Sequence, residues 1–565
     1  MAHVRPKNMP PSLDIPRVGA DALLAGAARA YPTRTALLDG EESLTFAELH
    51  DAALRVAGGL RRRGLEPGDV VALHMPNTYW YLVAYYGALC AGLAVAPLNP
   101  AQPAGALRAQ LADCGARAVF THPANAAALT EAAGPAVALV VRVPGTAASP
   151  APEGGELPTG SVPLADLLAG DRLEGYTVDP DLVAHLQLTG GTTGRSKAVR
   201  VLHRNLVANV LQAVCWRSCS LPGLDGQGGL RVTQIADPAP GTVGPGSGAS
   251  IAIAPFFHGL GLVGHNVNTL LGSTAVVTGG RFDADQFLAD IETYGVTHMS
   301  GSPAMYYGML RSPELGKRDL SSVRMVTSGA APIDTTALAR LREAIPGASI
   351  SEGYGLSEAT MGLTMSPPGA AIETPTGSVG VALAETELQI RSADAVTVLP
   401  QGEAGEIWAR GPQITDGYQD EPELTAAQFV DGWLRTGDMG YLDGNGFLFL
   451  VGRAKDMLIY KGYNVYPQPL EELLCSHPAV AQASVVGRQA AEVGEIPVGF
   501  VVLRPASAAE AERGQAFLDE VMAHVAAQVA PYQRVRELHV VDSLPLTPTG
   551  KILKTELRKS LQEEA

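Results

Sequence analysis

Residues 182–199 read LVAHLQLTGGTTGRSKAV, a hydrophobic run followed by a loop rich in glycine and hydroxyl groups and then by a lysine. Glycines let backbone N–H groups come close to phosphate oxygens, hydroxyls add donors, and a lysine supplies positive charge. Lys197 comes three residues after Gly194, whereas in a Walker loop the lysine follows the closing glycine directly. The stretch therefore predicts a strand that leads into a phosphate-binding loop, and it argues against a P-loop NTPase.

Short β-branched runs alternate with amphipathic helical segments on both sides of this loop, which is typical of α/β proteins. From about Val379 the pattern changes to short alternating runs separated by turn residues, which predicts a small β-rich subdomain. After residue 453 the chain continues into a compact tail that predicts a separate small α+β domain. The strands predicted in the first part lie at residues 70–75, 117–121, 138–143, 250–256, 274–279 and 321–329.

The composition limits the partners of this protein. Its 565 residues include 41 Lys and Arg against 57 Asp and Glu, a formal net charge of −16. This leaves no cationic surplus for a nucleic acid or an anionic membrane surface, so we expect phosphate to be bound locally. Five cysteines favour a reducing compartment over a disulfide scaffold, and the first residues lack the apolar core of a secretory signal. We therefore predict a cytoplasmic protein.

Two local patterns predict structure rather than a membrane span or a metal site. Residues 79–97 are uncharged, but they contain two glycines and end in Val-Ala-Pro, which favours a buried helix running into a short strand over a bilayer span. Cys215 and Cys219 are four residues apart with no second pair to complete a metal site, so we expect two buried thiols. The Gly- and Pro-rich stretches 144–161 and 222–250 predict surface loops.

A dinucleotide-binding pattern gives an alternative interpretation. Gly259, Gly261 and Gly264 follow a predicted strand with the GxGxxG spacing, and Asp283 and Asp285 come about 20 residues later. In a dinucleotide-binding protein these glycines would cradle a pyrophosphate, and the acidic residue would bind a ribose. One such match is a weak signal, but it leaves a dinucleotide-dependent oxidoreductase open as an alternative function.

Seven motifs together resemble those of the adenylate-forming enzymes, which include acyl-CoA synthetases, adenylation domains and luciferases. The resemblance extends from roughly Leu44 to Leu557, and the wording GYNVYP with the apolar Ile459 is similar to bacterial fatty-acid and aryl- or acyl-CoA ligases. It implies an N-terminal ATP- and acyl-binding domain at 1–453 and a mobile C-terminal domain at 454–565. In chain order the motifs are LTFAEL (44–49), TGGTTGRSK (189–197), PFFHGLGL (255–262), EGYGLSE (352–358), WLRTGD (433–438), GRAKDMLIYKGYNVYP (452–467) and PLTPTGK (545–551).

The resemblance implies an ATP site that holds Mg²⁺, an ion that prefers oxygen ligands and shares substrate phosphates. Its protein ligands would be Thr192 and Glu358. Tyr354 would stack on the adenine, and Asp438 would accept hydrogen bonds from the ribose. The other nucleotide-binding residues that the resemblance implies are Thr189, Gly191, Thr193, Gly194, Lys197, Gly329, Ala330, Glu352, Gly353, Ser357, Arg453 and Lys551.

The C-terminal domain would supply the residues that change between two reaction steps. The resemblance makes Lys551 the adenylation lysine, a role that suits two anions being brought together in a transition state that gains negative charge. Lys455 would be the hinge residue. Lys461 and Gly462 would lie on the coenzyme A side of the domain.

A further set of residues would line the acyl pocket. His258 stands where relatives place a pocket histidine, and core packing remains its alternative role. The other pocket residues are mostly apolar, and no cationic residue in their segments is an obvious partner for a second carboxylate, so we expect a largely apolar acid. They are Phe256, Phe257, Ser300, Gly301, Met305, Gly353 and Met361.

Together these observations predict an ATP-dependent, AMP-forming acid–thiol ligase. A carboxylic acid would react with ATP to give acyl-AMP, and coenzyme A would then take the acyl group. The catalytic residues would be Lys551, Lys197, Glu358 and His258. A carrier-protein thiol or an amine remains open as the acceptor, and a non-catalytic nucleotide-binding relative is disfavoured by the presence of Lys551.

Overall fold

The computed structural model describes residues 4–152, 158–189, 197–237, 241–279, 282–331, 333–392, 394–461, 463–490, 493–547 and 551–563. These residues form a large N-terminal domain of α/β layers with a β-rich subdomain, followed by a smaller α+β domain. This confirms the predicted fold class.

The strands of the large domain begin with a group that leads up to the glycine-rich loop and continue through the central sheet. They are β1 (Thr35–Asp39), β2 (Glu42–Thr45), β3 (Val70–His74), β4 (Ala94–Pro97), β5 (Ala116–Thr121), β6 (Leu139–Arg142), β7 (Val162–Pro163), β8 (Val183–Thr189), β9 (Lys197–Leu202), β10 (Ser220–Leu224), β11 (Leu230–Gln234), β12 (Ala249–Ala252), β13 (Thr274–Val277), β14 (His298–Gly301), β15 (Met325–Ser328), β16 (Ser349–Tyr354), β17 (Thr364–Met365) and β18 (Val381–Ala382).

The remaining strands belong to the β-rich subdomain and to the small domain. They are β19 (Glu387–Arg391), β20 (Gly405–Arg410), β21 (Phe429–Val430), β22 (Trp433–Leu442), β23 (Leu448–Arg453), β24 (Leu458–Tyr460), β25 (Tyr463–Val465), β26 (Val480–Ala490), β27 (Gly494–Leu503) and β28 (Glu537–Val540).

The α-helices cover the sheets. They are α1 (Asp21–Ala30), α2 (Phe46–Arg62), α3 (Tyr79–Cys90), α4 (Ala104–Asp113), α5 (Ala126–Ala132), α6 (Leu164–Leu168), α7 (His203–Ser218), α8 (Gly259–Leu271), α9 (Ala284–Tyr294), α10 (Pro303–Arg311), α11 (Thr335–Ala344), α12 (Pro422–Gln428), α13 (Pro467–Cys475), α14 (Gln515–Ala526) and α15 (Lys554–Glu563).

Two large sheets form the centre of the N-terminal domain. One has the order β7-β6-β5-β3-β4-β8-β9, and the glycine-rich loop joins its last two strands, which are antiparallel. The other has the order β18-β17-β16-β15-β14-β12-β13-β1-β2. The β-rich subdomain and the small domain each add a five-stranded sheet, ordered β19-β20-β22-β21 with β23 beside β22, and β25-β24-β27-β26 with β28 beside β27.

The nine-stranded sheet has two chemically different faces. One face packs apolar side chains such as Met299 and Val326 against α9, α10 and α11. The opposite face lies under α8, and we call it the α8 face. Because β14, β15 and β16 are parallel and in register, Ser300, Thr327 and Ser351 lie side by side on it. Parallel sheets are usually apolar on both faces, so a polar face next to a helix is a candidate binding surface.

Residues 79–97 form α3 and β4, as predicted. The hydroxyl oxygen of Thr78 accepts a hydrogen bond from the Tyr81 N–H at 3.2 Å and caps the helix start. The helix is buried on nearly all sides among other elements of the N-terminal core. In the part of the chain that the structure describes, no helix is long and apolar enough to span a membrane.

Two predictions need correction. Residues 222–250 are not a continuous loop, because their first part belongs to the hairpin of β10 and β11. The dinucleotide interpretation is wrong, because Gly259, Gly261 and Gly264 all lie inside α8 rather than in the turn before it. A Cβ on Gly261 would lie 2.2 Å from the Pro255 carbonyl oxygen, so that glycine allows close backbone packing. Asp283 caps α9 through the N–H groups of Asp285 and Gln286.

The small domain contains helices α13 and α14 and strands β26 and β27, in agreement with the predicted α+β character. Two ion pairs fasten its last helix, α15. Lys554 lies 2.7 Å from Glu471 on α13, and Arg558 lies 2.7 Å from Asp456, directly after Lys455. Lys551 precedes this helix, so the helix also fixes the position of that lysine relative to the domain.

Candidate active site

Lys197 and Glu358 meet around one tyrosine. The Lys197 Nζ lies 5.5 Å from the centre of the Tyr418 ring, a cation–π distance. The Tyr418 hydroxyl donates a hydrogen bond of 2.7 Å to Glu358 Oε1. The backbone oxygen of Glu358 also accepts hydrogen bonds from the N–H and the hydroxyl of Thr415, at 3.0 and 3.1 Å. The carboxylate is therefore held in place by residues far away in the sequence.

Tyr354 and Asp438 meet at the end of β16. The Tyr354 hydroxyl donates a 2.8 Å hydrogen bond to Asp438 Oδ2, and Arg453 Nε lies 3.1 Å from Asp438 Oδ1. Asp438 and Arg453 are direct neighbours on β22 and β23. Burial, followed by the charge of Asp438, holds the pKa of Tyr354 well above its usual value. The three side chains form a fixed group that presents a carboxylate as an acceptor and a guanidinium as a donor at the same place.

The structure places Lys551 beside this group. Burial lowers the pKa of Lys551, and the charge of Arg453 lowers it further, while Asp438 and Glu358 oppose the shift. Burial lowers the pKa of His258 to about 4, and the charge of Lys551 contributes to that change. The C-terminal lysine is thus close to acidic and basic groups of the N-terminal domain, which no local sequence pattern specifies.

His258 and its two neighbours have different surroundings. The His258 Nδ1 accepts a hydrogen bond from the Leu260 N–H at 3.3 Å and caps α8. Phe256 is 1% exposed and packs against Tyr81 and His265 in the core. Phe257 lines a cavity of about 170 Å³. Of the two phenylalanines, only Phe257 lies at a cavity wall.

The other predicted acyl residues lie at the carboxyl ends of β14 and β16 or close by. Ser300 and Gly353 lie on the α8 face, while Gly301 accepts a hydrogen bond from the Gly329 N–H at 3.0 Å. Met305 belongs to α10, is 6% exposed and packs in the core beside the sheet. Met361 packs on the large core cluster.

Ala330 directly follows Gly329 and has a backbone φ of +68°. This left-handed conformation is uncommon for residues other than glycine. It marks a sharply turned backbone at the proposed nucleotide site.

Several predicted residues lie elsewhere or outside the described chain. Thr189 ends β8 and donates a 3.4 Å hydrogen bond to the Lys197 carbonyl oxygen. Ser357 begins the short turn that carries Glu358. Lys455 lies in the turn Ala454–Asp456, and Lys461 has a φ of +49° and donates its N–H to the Val493 oxygen. The predictions on Gly191, Thr192, Thr193, Gly194 and Gly462 fall outside the described residues.

Sequence reasoning missed one residue of this region and gave a second one the wrong role. Tyr418 joins Lys197 to Glu358, but nothing in the surrounding Asp-Gly-Tyr-Gln distinguishes it from a core tyrosine. Gly264 lies within α8, where a glycine costs about 1 kcal/mol relative to alanine. A Cβ at this position would meet nothing within 4 Å. This open position indicates space beside α8.

Glu352 lies where the two domains meet. Burial raises the pKa of its carboxyl from 4.5 to about 7, and the charge of Glu472 on α13 adds to the shift, while a hydrogen bond with the Ile333 backbone and the charge of Arg342 oppose it. Asp334 also adds to the shift. An ionised Glu352 therefore faces other acidic groups across the domain boundary.

Replacing Glu352 with glutamine is expected to stabilise the protein at alkaline pH only. The folded protein keeps the proton up to about pH 7, whereas the ordinary value is 4.5. The favourable contribution of this proton to the free energy of unfolding is therefore complete below pH 4.5 and is lost as the pH rises through 7. Above pH 7 the variant should gain about 1 kcal/mol, allowing for partial exposure. Urea unfolding across this pH range measures the difference, and Glu373→Gln is an exposed control. An equal gain at acid pH would contradict the assignment.

Comparison with known proteins identifies the family. The family profile described as "AMP-binding enzyme" matches residues 24–419, and the profile "AMP-binding enzyme C-terminal domain" matches residues 469–551. The chain is 34% identical over 537 residues to 4-coumarate–CoA ligase 5 of Oryza sativa subsp. japonica, covering 94% of this chain and 92% of that protein. It is 31% identical over 589 residues to the long-chain-fatty-acid–CoA ligase of Bacillus subtilis strain 168, covering 99% and 97%.

A solved structure shows the same arrangement. The amide bond synthetase McbA from Marinactinospora thermotolerans superposes with a TM-score of 0.79 at 27% identity, covering 96% of this chain and 99% of that one. The two family profiles lie on the large and the small domain respectively. The fold agrees with these matches, and the chain belongs to the AMP-binding, adenylate-forming enzyme family.

Proposed function

We propose that this protein is an ATP-dependent acyl-CoA ligase that activates a largely apolar carboxylic acid through an acyl-AMP intermediate. The observation that carries the proposal is the position of Lys551, close to Asp438, Glu358 and His258 of the N-terminal domain. A cation there is close to Asp438 and Glu358, which are proposed for the nucleotide, and to His258, which is proposed for the acid. The relatives named for 4-coumarate–CoA and long-chain-fatty-acid–CoA ligation support an acid that is mostly apolar and a CoA acceptor.

In the first step, a carboxylate oxygen of the acid bonds to the α-phosphorus of ATP, and the bond to pyrophosphate breaks. The Lys551 ammonium offsets the negative charge that accumulates on the α-phosphate. Asp438 accepts hydrogen bonds from the ribose hydroxyls, and Arg453 adds a donor beside it. The fixed spacing of these groups holds the acid and the nucleotide in one orientation.

Glu358 fits the metal that such a site requires. Its Oε1 accepts one hydrogen bond from Tyr418, and carboxylate oxygens have further acceptor sites. Mg²⁺ binds through one or two carboxylates together with substrate phosphates, so Glu358 would hold the ion with ATP. When bound, the ion would neutralise phosphate charge. Thr192, the other proposed ligand, lies outside the described residues.

In the second step, the sulfur of coenzyme A attacks the acyl carbonyl, the thiol proton is lost and AMP leaves. We infer that the domain 454–565 turns about Lys455 to bring Lys461 and Gly462 toward the thiol. His258 is uncharged at neutral pH because burial lowers its pKa to about 4, so it orients the acid as a neutral group. The five cysteines are unpaired, which supports a reducing, cytoplasmic location.

An amine acceptor is the second candidate. McbA, which shares the fold over nearly the whole chain, is an amide bond synthetase. Both acceptors react with the same acyl-AMP, so the first step and its residues are unchanged. A carrier-protein thiol would also react with this intermediate.

Two assays on the purified protein test the function. ATP–pyrophosphate exchange is measured with cinnamic acids, benzoic acids and fatty acids of increasing length, and exchange that depends on one of these acids is expected. The acid that gives exchange is then offered with coenzyme A or with amines, and CoA consumption is expected. No exchange with any acid would contradict the proposed ligase, while exchange followed by amide formation alone would favour the amide synthetase.

Replacing Gly264 with methionine is expected to restrict the acids that are accepted. The side chain would enter the space beside α8, where a Cβ meets nothing within 4 Å. We expect the largest acids to lose about 10- to 200-fold in kcat/KM and the smallest to be little changed. Gly295→Ala, at a left-handed position at the end of α9, is a control for loss of stability. An unchanged acid profile would mean that the pocket does not reach Gly264.

A further inference from the structure

A second cavity lies at the β16 side of the nine-stranded sheet, where its lining takes Thr327, Ser349 and Ser351 from the α8 face and Leu338 and Arg342 from α11. Its volume is about 370 Å³, within the range of small-molecule sites. The cavity lies between the central sheet, α11 and the segment after β17. Its polar lining residues include Arg217, Thr242, Thr327, Ser349, Ser351 and Ser366.

Arg217, near the end of α7, is the unusual residue of this cavity. Its Nε donates a weak 3.5 Å hydrogen bond to the Met365 sulfur. Among the described residues no carboxylate lies within 4.0 Å of its guanidinium. Burial lowers the pKa of Arg217 to about 10, which leaves it protonated at neutral pH. Buried charges are normally paired, whereas within the described part of the chain this cation has no carboxylate partner.

The other charged groups of the cavity do not supply that partner. Glu352 and Arg342 interact with each other on the α11 side. Glu373 is exposed on the segment after β17 and forms no ion pair with Arg217. His298 on the α8 face is electrostatically coupled to Arg217, and its pKa is lowered to about 3 by burial and then by Arg217. An uncharged histidine does not neutralise the guanidinium.

The cavity and the proposed acyl site share the same strands. Gly353, Ser351 and Ser349 follow one another along one face of β16, each about 7 Å from the next. Gly353 belongs to the proposed acyl site, whereas Ser351 and Ser349 line the cavity. Thr327, another lining residue, lies beside Ser300 in the register of β14 and β15. The cavity therefore begins where the acyl site ends.

The helix above these strands leaves room between the two sites. Leu260, Gly264 and Asn268 lie on one side of α8 because they are four residues apart. Leu260 lies 3.7 Å from where a Cβ on Gly329 would be, and Asn268 is bonded to Ser250 and His298 at 2.9 Å each. Gly264 lies between these two contacts and faces open space.

We propose that Arg217 binds an anionic group, a carboxylate or a phosphate, at the far end of the acid substrate. This inference rests on the proposed ligase function. The acid would have an apolar body and a second anion about 7 to 13 Å from the reacting end, as measured along β16. Arg217 and the hydroxyls of the cavity are then specificity-determining groups for a dicarboxylic or phosphate-bearing acid.

The main test compares acids with and without a distal anion. ATP–pyrophosphate exchange is measured with adipic, suberic, sebacic and dodecanedioic acids, each beside the monocarboxylic acid of the same length. One of the longer diacids is expected to exceed its monocarboxylic match in kcat/KM. Arg217→Met should lower kcat/KM for that diacid by about 10- to 100-fold and leave the monocarboxylic acid unchanged. The loss should appear in KM, because the distal contact is the same in ground and transition states.

Further variants separate binding from a structural role. Arg217→Lys keeps a cation and should restore part of the diacid activity. Arg340→Met removes an exposed arginine of α11 outside the cavity and should change neither acid. Arg217→Met should also melt no lower than the wild type, because it removes an unpaired charge. An equal loss with both kinds of acid would overturn the inference.

A free anion that is not part of the acid substrate is the alternative ligand for Arg217. Thermal shifts are measured with succinate and with inorganic phosphate, without ATP, on the wild type and on Arg217→Met. If these anions stabilise only the wild type while diacids have no advantage, the cavity binds a free ligand and the substrate assignment is overturned. If apolar acids are activated, diacids have no advantage and Arg217→Met changes nothing, the inference fails while the ligase function stands.

Discussion

Replacing Lys551 with alanine is expected to lower acyl-AMP formation by at least about 10²- to 10³-fold. The physical reason is the loss of the cation that offsets charge at the α-phosphate, an effect of the size seen when one preorganised donor is removed. The second step does not use this contact. Conversion of supplied acyl-AMP and coenzyme A to thioester should therefore remain close to the wild-type rate.

Each half-reaction is measured separately on this variant, by pyrophosphate exchange and by thioester formation from acyl-AMP. Lys559→Ala, which removes an exposed lysine of α15, is the matched control and should retain both steps. Burial and Arg453 lower the pKa of Lys551. The wild-type first step should therefore decline as the pH rises, at a lower pH than for an ordinary lysine, because the ammonium loses its proton. Equal loss of both steps in Lys551→Ala would mean that the lysine is structural.

Replacing Lys455 with proline is expected to spare the first step and impair the second, which is the reverse of the result expected for Lys551→Ala. Lys455 lies in a short 3₁₀ turn, and the φ near −65° that proline imposes is compatible with such a turn. The arrangement in which Lys551 meets Asp438 and Glu358 should therefore persist, and adenylation should be kept. A rotation that requires another φ at this residue is blocked, so thioester formation should fall about tenfold or more.

Lys455→Ala is the control for this variant, because it removes the same side chain and leaves the backbone free. It should retain both half-reactions to a larger extent than Lys455→Pro. The measurements are the same two assays, with circular dichroism to confirm that the proline variant is folded. Normal thioester formation by Lys455→Pro would exclude a rotation about this residue.

Local sequence patterns were sufficient for the parts of the fold that depend on neighbouring residues. Short β-branched runs predicted β3, β5 and β6 closely, because strands buried on both faces of a parallel sheet are near-continuous apolar runs. The uncharged run at 79–97 was correctly predicted as a helix and a strand, since glycines and a hydroxyl cap mark their ends. Residues 222–250 were wrong in part, because Gly and Pro also occur in the turn of a hairpin and do not distinguish it from a longer loop.

The sequence alone determined the α/β class, the small second domain and the family, because ordered motifs and periodicity are properties of consecutive residues. Only the tertiary structure decided which side chains meet. Tyr418 reaches Glu358 from 60 residues away, and Lys551 comes close to Asp438 across a domain boundary. Arg217 looks like an ordinary helical arginine until β14, β15 and β16 place a polar face beside it. Such contacts depend on how distant elements pack, and no local pattern encodes the distance between residues that folding brings together.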